Sequence, residues 1–594
     1  MHPLIYEIST AHTPESLVEN LRDGSGVIVL RTSSFDSPSA RYSFVAADPF
    51  LTFQSSGSRC EISRPQTPDT GPQTQFGNPW HLLDSLMSRF ELLDEIDLPF
   101  PLGGCFGYWG YDLKNFTEPK LPRRAVNDLE LPDCHVGFYG SLVVFDHRLG
   151  TTFVVSTGLA ADGSRSEKRA KEQMEFWRTH LHETLTPALS FSERARENNP
   201  SAKENTCDPQ SRTGIRKLLP LLGKRAGVRA GVVSNFSRKD FLSAVEQAQR
   251  YIRAGDIYQV NLSQRLTTQC EFSGWDLFQK LSAVSPAPFS AFSDCGDFEV
   301  ASSSPEQFLR LSGSHIVTRP IKGTRPRDAD PTRDAQLAYE LQTSAKEQAE
   351  LVMITDLLRN DLGKVCEFGS VQTPELARLE RFAQVQHLVS TVEGRLRRGM
   401  THFAALASCF PGGSITGAPK FRAMEIIDEL EPIARGPYCG CHGYLGFNRE
   451  SQLSITIRTA VCKDGLAHFN VGSGIVADSN PEAEYEETLD KAAGFLAALK
   501  LQTPGVTTVH SVGWHPCPAG QIRRPAEDAT VACAAGRAVA KRRLIPSALS
   551  AEDSRLHNVQ THPLASEGER GNVRKPLTTR AVSVKPESTK PIQT

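Results

Sequence analysis

The sequence has no apolar run long enough to cross a bilayer, which argues against a helical membrane span. Its opening residues, Met1-His2-Pro3-Leu4-Ile5-Tyr6-Glu7, lack the basic patch and apolar stretch of a secretory leader. An excess of one charge is missing too. The 66 Lys and Arg stand against 68 Asp and Glu, a net charge of -2, which offers no basic face for nucleic acid. The 13 cysteines form no Cys-x-x-Cys pair, and the closest two are Cys439 and Cys441. Zinc fingers and disulfide scaffolds are disfavoured, and reduced thiols are expected. These absences predict a cytoplasmic protein with no membrane and no nucleic-acid partner. A hydrophobic content of 39% over 594 residues can still bury a large core, in several domains or in one with additions.

The chain divides into zones. Residues 1–189 read as short strands, such as Gly26-Val27-Ile28-Val29-Leu30, separated by glycine-rich turns and closed by a helix from Glu167 to about Leu185. Residues 190–233 read as an exposed polar linker. Residues 234–501 alternate helices and strands. They open with Ser237 as an N-cap before a helix from Asp240 to Arg253. Residues 502–594 hold Trp514 as their only Phe, Trp or Tyr. Such a tail is predicted to be disordered, because it cannot bury enough surface to offset its ordering entropy.

The candidate chemistry lies in the third zone. Lys322 sits in Pro320-Ile321-Lys322-Gly323-Thr324, read as a Pro/Gly-bounded turn after a strand. A lysine held there and desolvated is a nucleophile. Two Glu-x-x-Glu pairs, Glu347/Glu350 and Glu484/Glu487, each aim two carboxylates from one helix face. If the helices face each other, four hard oxygen donors converge in a manner suited to Mg²⁺. Gly472-Ser473-Gly474 reads as a turn whose amides cradle an anion. Arg458 projects from a buried-looking strand, where its fork suits a carboxylate or an internal salt bridge. Gly412 to Lys420, with Thr416 and Gly417, reads as a glycine/hydroxyl loop entering a helix, with Pro419 near its first turn.

These runs, together with Ile252–Arg265 and Ser302-Ser303-Ser304-Pro305-Glu306, resemble the chorismate-binding family over about residues 236–501. The N-terminal zone resembles it more loosely through Gly107-Tyr108-Trp109-Gly110-Tyr111-Asp112-Leu113. The family includes anthranilate, aminodeoxychorismate, isochorismate and salicylate synthases. The resemblance implies an α/β (α+β) fold of the anthranilate synthase component I type, with antiparallel sheets packed as a sandwich and helices outside. It implies Mg²⁺ held directly by Glu350 and Glu487, with Glu347 and Glu484 assisting. It matches Arg458, Tyr444, Thr416 and the Gly472–Gly474 segment to substrate contacts, and His387 to a histidine near the reacting ring.

Two positions narrow the branch. Water-adding members carry a lysine where Gln259 stands, and glutamine is no base. Anthranilate synthases typically carry alanine where Lys322 stands, whereas lysine marks the aminodeoxychorismate synthases. The expected reaction converts chorismate and ammonia to 4-amino-4-deoxychorismate, with Glu306 as general acid and Lys322 as covalent nucleophile. No glutaminase nucleophile elbow is read in the chain, so ammonia is expected from a separate glutamine amidotransferase subunit. The Leu-Glu-Ser motif usual in tryptophan-sensitive relatives reads Leu30-Arg31-Thr32, which predicts no tryptophan feedback. The competing readings are anthranilate synthase component I and a non-catalytic scaffold of the same family.

Overall fold

Strands dominate, and their pairing places residues that are far apart in sequence side by side. A computed structural model of the chain describes residues 2–182, 228–229 and 231–500, apart from 22–23, 33–39, 66–70, 94–97 and 383–384. The expected tail and most of the expected linker lie outside the described residues. The end of the linker is an exception: Val228–Arg229 and Val232–Ser234 are paired strands.

Among the described residues there are two antiparallel sheets, of 13 and 12 strands. Both draw on the two halves of the chain. In the first sheet, Ile28–Arg31 pairs with Phe289–Asp294. In the second, Gly104–Trp109 pairs with Cys441–Gly446. The sheets are stacked, and Phe44 of the first and Phe106 of the second both pack on the ring of Tyr444 between them. Helices cover the outer faces. Leu17, Met174, Trp177 and Phe278 bury one flank of the first sheet. Phe495 and Leu496 bury another against Phe469 and Val471. Leu341 and Leu351 cover Leu388 of the second sheet. The expected sandwich with helices outside is the observed fold.

Local chemistry starts the helices that matter. Ser237 accepts a hydrogen bond from the Asp240 amide at the head of Arg238–Arg253. Ser344 caps Ala345–Gly363, which carries Glu347 and Glu350. Asn480, followed by Pro481, caps Pro481–Ala498, which carries Glu484 and Glu487.

The strand Gln259–Gln269 organises the site. It pairs with Leu466–Ile475 so that Asn261 lies opposite Gly474 and Ser263 opposite Gly472. By strand alternation Gln259, Asn261 and Ser263 face the interior between the sheets, while Val260 and Leu262 face the helices. Gly472-Ser473-Gly474 is therefore mid-strand rather than the expected turn. Ser473 shares the helix-side face with Phe469 and Val471, so its hydroxyl points away from the interior.

Candidate active site

Lys322 also lies in a strand, Ile321–Pro326, not in a turn. Pro320 separates this strand from His315–Arg319, and its pairing with Val385–Arg395 slips at Gly323. Gly323 has a φ of +65°, and a side chain there would strike Leu341 and crowd Glu347. The slip opens the strand edge beside the helix carrying the first carboxylate pair. Lys322 is half-buried at this edge and has no hydrogen bond or ion pair among the described residues.

Glu306 stands in contact with this strand. Its carboxyl accepts hydrogen bonds from the Ile321 amide and the Ser414 hydroxyl, with Lys322 close by. Burial outweighs these and raises its pKa from the ordinary 4.5 to about 7. A carboxyl that holds its proton near neutrality is suited to general-acid work. Ser414 escaped the sequence reading because a serine in a glycine loop looks like any other turn residue.

Glu350 of the first carboxylate pair approaches the same lysine. Burial raises the pKa of Glu350, against the pull of Lys322 and Lys346 and with added repulsion from Glu347 and Glu487. The two helices thus face each other across Glu350. Each carboxylate has a partner: Glu347 has Arg325 at 3.6 Å, Glu350 has Lys346 at 4.0 Å, Glu484 has the Ser479 hydroxyl at 2.6 Å and Glu487 has Lys491 at 2.7 Å. Among the described residues no three His, Cys, Asp or Glu side chains are gathered into a metal-ready group. The donor chemistry, all carboxylate oxygen with mutual repulsion around Glu350, nevertheless suits a hard divalent cation.

His387 faces Gly323 and Thr324. Its Nδ1 lies 2.9 Å from the Thr324 hydroxyl and 3.4 Å from the Gly323 carbonyl. Burial, and then the charge of Arg458, lower its pKa to about 4, so the ring is neutral near pH 7. Arg458 lies in the connection between strands Glu450–Ile455 and Thr459–Lys463 rather than within a strand. Its φ of +51° is unusual for a non-glycine residue, and its guanidinium finds no carboxylate among the described residues. A half-buried, unpaired guanidinium beside a neutral histidine suits an anionic ligand.

Three expected contacts are placed differently. Tyr444 packs against Phe44 and Phe106 and lines a separate pocket with Leu30, Arg31 and His442. The tyrosine at the site is Tyr438, whose hydroxyl lies against Gly472. Nothing in residue type separates the two, and only the fold does. The Thr416 hydroxyl is spent inside its own loop, on the carbonyls of Gly412 at 3.0 Å and Gly413 at 3.2 Å. Gly417, with φ +143°, presses on the Gln259 carbonyl, where any Cβ would clash. Pro419 precedes the helix Lys420–Leu430 as its N-cap. Lys420 is bound to Asp361 and to the Cys409 and Pro411 carbonyls, so it braces the loop.

Gly103-Gly104-Cys105-Phe106-Gly107 has the Gly-x-Cys-x-Gly spacing of a glutaminase elbow, which the sequence reading missed. Here it forms the start of a buried strand. Cys105 is fully enclosed and burial pushes its thiol well above the ordinary range, so it is no nucleophile.

A buried acid, an edge lysine, facing carboxylates and an unpaired arginine together have the chemistry to receive a small anion. The chain belongs to the chorismate binding enzyme family, whose pattern matches residues 33–497. It is 36% identical over 500 residues to anthranilate synthase component 1 of Acetivibrio thermocellus, covering 84% of this chain and 95% of that protein. It is 38% identical over 475 residues to aminodeoxychorismate synthase component 1 of Salmonella typhimurium, covering 80% and 93%. The crystal structure of anthranilate synthase component I from Streptococcus pneumoniae matches with a TM-score of 0.62 and 28% identity, over 77% of this chain and 93% of that one. The protein is a chorismate-utilising enzyme.

Proposed function

We propose that the chain is component I of an aminodeoxychorismate synthase, forming 4-amino-4-deoxychorismate for 4-aminobenzoate and folate synthesis. The observation that carries this reading is Lys322, placed within electrostatic reach of both Glu306 and Glu350. Arg458 and the amides of the Gly472–Gly474 strand hold the substrate carboxylates, and Tyr438 replaces Tyr444 among the proposed contacts. Lys322 bonds through its amine to C2 of chorismate while the ring's two conjugated double bonds shift and the C4 hydroxyl leaves. Glu306 donates the proton that makes it water. Ammonia then bonds to C4, the two double bonds shift back, and the C2–N bond breaks to release the lysine with the two protons it brought. The proton shed by the entering ammonia nitrogen restores Glu306. His387, neutral, stands beside the ring as a hydrogen-bonding group.

Glu350 and Glu487, with Glu347 and Glu484, are the proposed Mg²⁺ holders. A bound Mg²⁺ would draw electron density toward the ring carboxylate and ease loss of the hydroxyl. Chelation is expected to abolish turnover and added Mg²⁺ to restore it. Glu350→Gln should require more Mg²⁺ for half-maximal rate, measured by titrating the metal at saturating chorismate. Equal rates in excess chelator would remove the metal from the reading.

Ammonia is proposed to come from a separate glutamine amidotransferase subunit, with a high concentration of ammonium able to substitute. Incubation with chorismate, Mg²⁺ and ammonium, followed by an aminodeoxychorismate lyase, tests the branch. 4-Aminobenzoate should appear only after the lyase is added. Anthranilate formed by the native chain would instead assign it to the anthranilate synthases.

Tryptophan is expected not to inhibit. Arg31 in the N-terminal pocket forms an ion pair with Glu15 and presents a guanidinium where an ammonium-binding ligand needs an acid. Initial rates at millimolar tryptophan should match those without it, and a concentration-dependent loss would refute this.

A further inference from the structure

Beneath the site lies an ion pair that the mechanism above does not use. Arg435 and Glu431 are almost fully enclosed between the sheets. The guanidinium makes a fork to the carboxylate, Nε to Oε2 at 2.8 Å and Nη2 to Oε1 at 2.7 Å. Its remaining donors reach two main-chain carbonyls, Ile415 at 3.1 Å and Asn261 at 2.7 Å. Glu431 in turn accepts from the Ser263 amide at 2.8 Å and hydroxyl at 3.0 Å. The guanidinium plane lies over the rings of Tyr111, at 4.7 Å, and Tyr438, at 5.8 Å.

Apart from the Tyr111 ring, these contacts end on or beside components of the site. Ile415 follows Ser414, which bonds Glu306. Asn261 and Ser263 lie opposite Gly474 and Gly472. Tyr438 lies against Gly472. A buried ion pair returns little net stability, because desolvating two charges offsets most of their attraction. What it does supply is geometry: a planar fork holds several acceptors at fixed angles, which a lysine cannot reproduce.

We propose that Arg435 and Glu431 are positioning residues, locking the Ser414 loop, the strand opposite Gly472–Gly474 and Tyr438 into the one arrangement in which Glu306 and Lys322 act together. The inference rests on the chorismate-processing reading above. Its consequence is local. Without the pair the 412–418 loop keeps its backbone bonds to the strand, Asn261 N–H to the Thr416 carbonyl at 2.9 Å among them, but loses the side-chain brace from Arg435 to Ile415 and Asn261, while the packed sheets keep theirs.

The test uses the full chain with the apolar double substitution Glu431→Leu/Arg435→Met, chosen because a matched apolar pair can preserve folding. Melting temperature and circular dichroism report the fold. Hydrogen exchange of peptides covering 258–262 and 412–418 reports the tether. Turnover of chorismate with ammonium reports function. The expected result is a folded protein with selectively faster exchange in those peptides. Its kcat should fall on the order of 100-fold, with KM changing much less. Wild-type exchange and turnover in the folded variant, or faster exchange spread evenly over both sheets, would overturn the proposal. Should the double variant not fold, Arg435→Lys decides. It keeps the charge opposite Glu431 but cannot span Ile415 and Asn261 together, so faster local exchange at unchanged melting temperature supports the proposal and unchanged exchange defeats it. If the native chain forms no product from chorismate, the proposed function fails on its own, and the exchange measurements still judge the tether.

Discussion

Lys322→Ala should lower formation of 4-amino-4-deoxychorismate by at least about 100-fold, because it deletes the group that occupies C2 while ammonia enters at C4. The residual chemistry should change in kind as well as in rate. With the amine gone, ammonia can enter the space at C2, and the nitrogen then lands ortho to the ring carboxylate. Lys322 has no ion pair or hydrogen bond among the described residues and sits at a strand edge, so removing it should leave the melting temperature nearly unchanged. The measurement is product analysis of native and variant protein with ammonium as nitrogen source, with and without the lyase. A variant that makes as much 4-aminobenzoate precursor as the native chain would eliminate the covalent route.

The parts of this site that were legible in the sequence are those whose chemistry is written in residue type and short spacing. Glu347/Glu350 and Glu484/Glu487 are such pairs, read from i, i+3 spacing on helices. Lys322 was legible as a candidate nucleophile in its own segment and Glu306 only through resemblance, and the hairpin of Gln307–Ser312 with His315–Arg319, which sets Gln307 opposite Arg319, brings the two together. The turns expected around Lys322 and Gly472 are strands. Glycine signals a place where a side chain cannot fit, and in this fold that place is a crowded strand as often as a turn. Gly474 is packed against Gln259, and Gly417 against the Gln259 carbonyl. The match of Tyr444 to a substrate contact gave way for a related reason. Tyr438 and Tyr444 both lie within a few residues of glycines, and which ring lies against Gly472 depends on the loop from Arg435, which no local pattern encodes. Arg435 itself reads as one more surface cation until the sheets enclose it.

Glu306→Gln should reduce kcat by about 100- to 10,000-fold, since glutamine keeps the shape and the bonds to Ser414 and Ile321 but has no proton to give to the leaving hydroxyl. The pH dependence separates this from a steric effect. The groups facing Glu306 are Lys322 and the Ile321 amide from one strand, Ser414 from the loop and Cys439 from the turn behind it. Burial overrides the favourable ones and sets the carboxyl at about 7. A general acid works while protonated, so this group should produce a fall in kcat/KM as pH rises through about 7, a limb that the variant lacks. The substitution should move stability the opposite way from activity. The folded pKa lies above the ordinary 4.5, so the native state holds a proton that the unfolded chain releases between about 4.5 and 7. Stability contributed by this group is therefore present at low pH and lost as pH rises through that window, on the order of 3 kcal/mol at most. Glutamine carries no such charge to bury. At pH 8 the variant should melt above the native protein, and at pH 4 the two should converge. A variant that keeps native turnover, or that melts below the native chain at pH 8, would show that Glu306 is an ordinary ionised carboxylate and that another group delivers the proton.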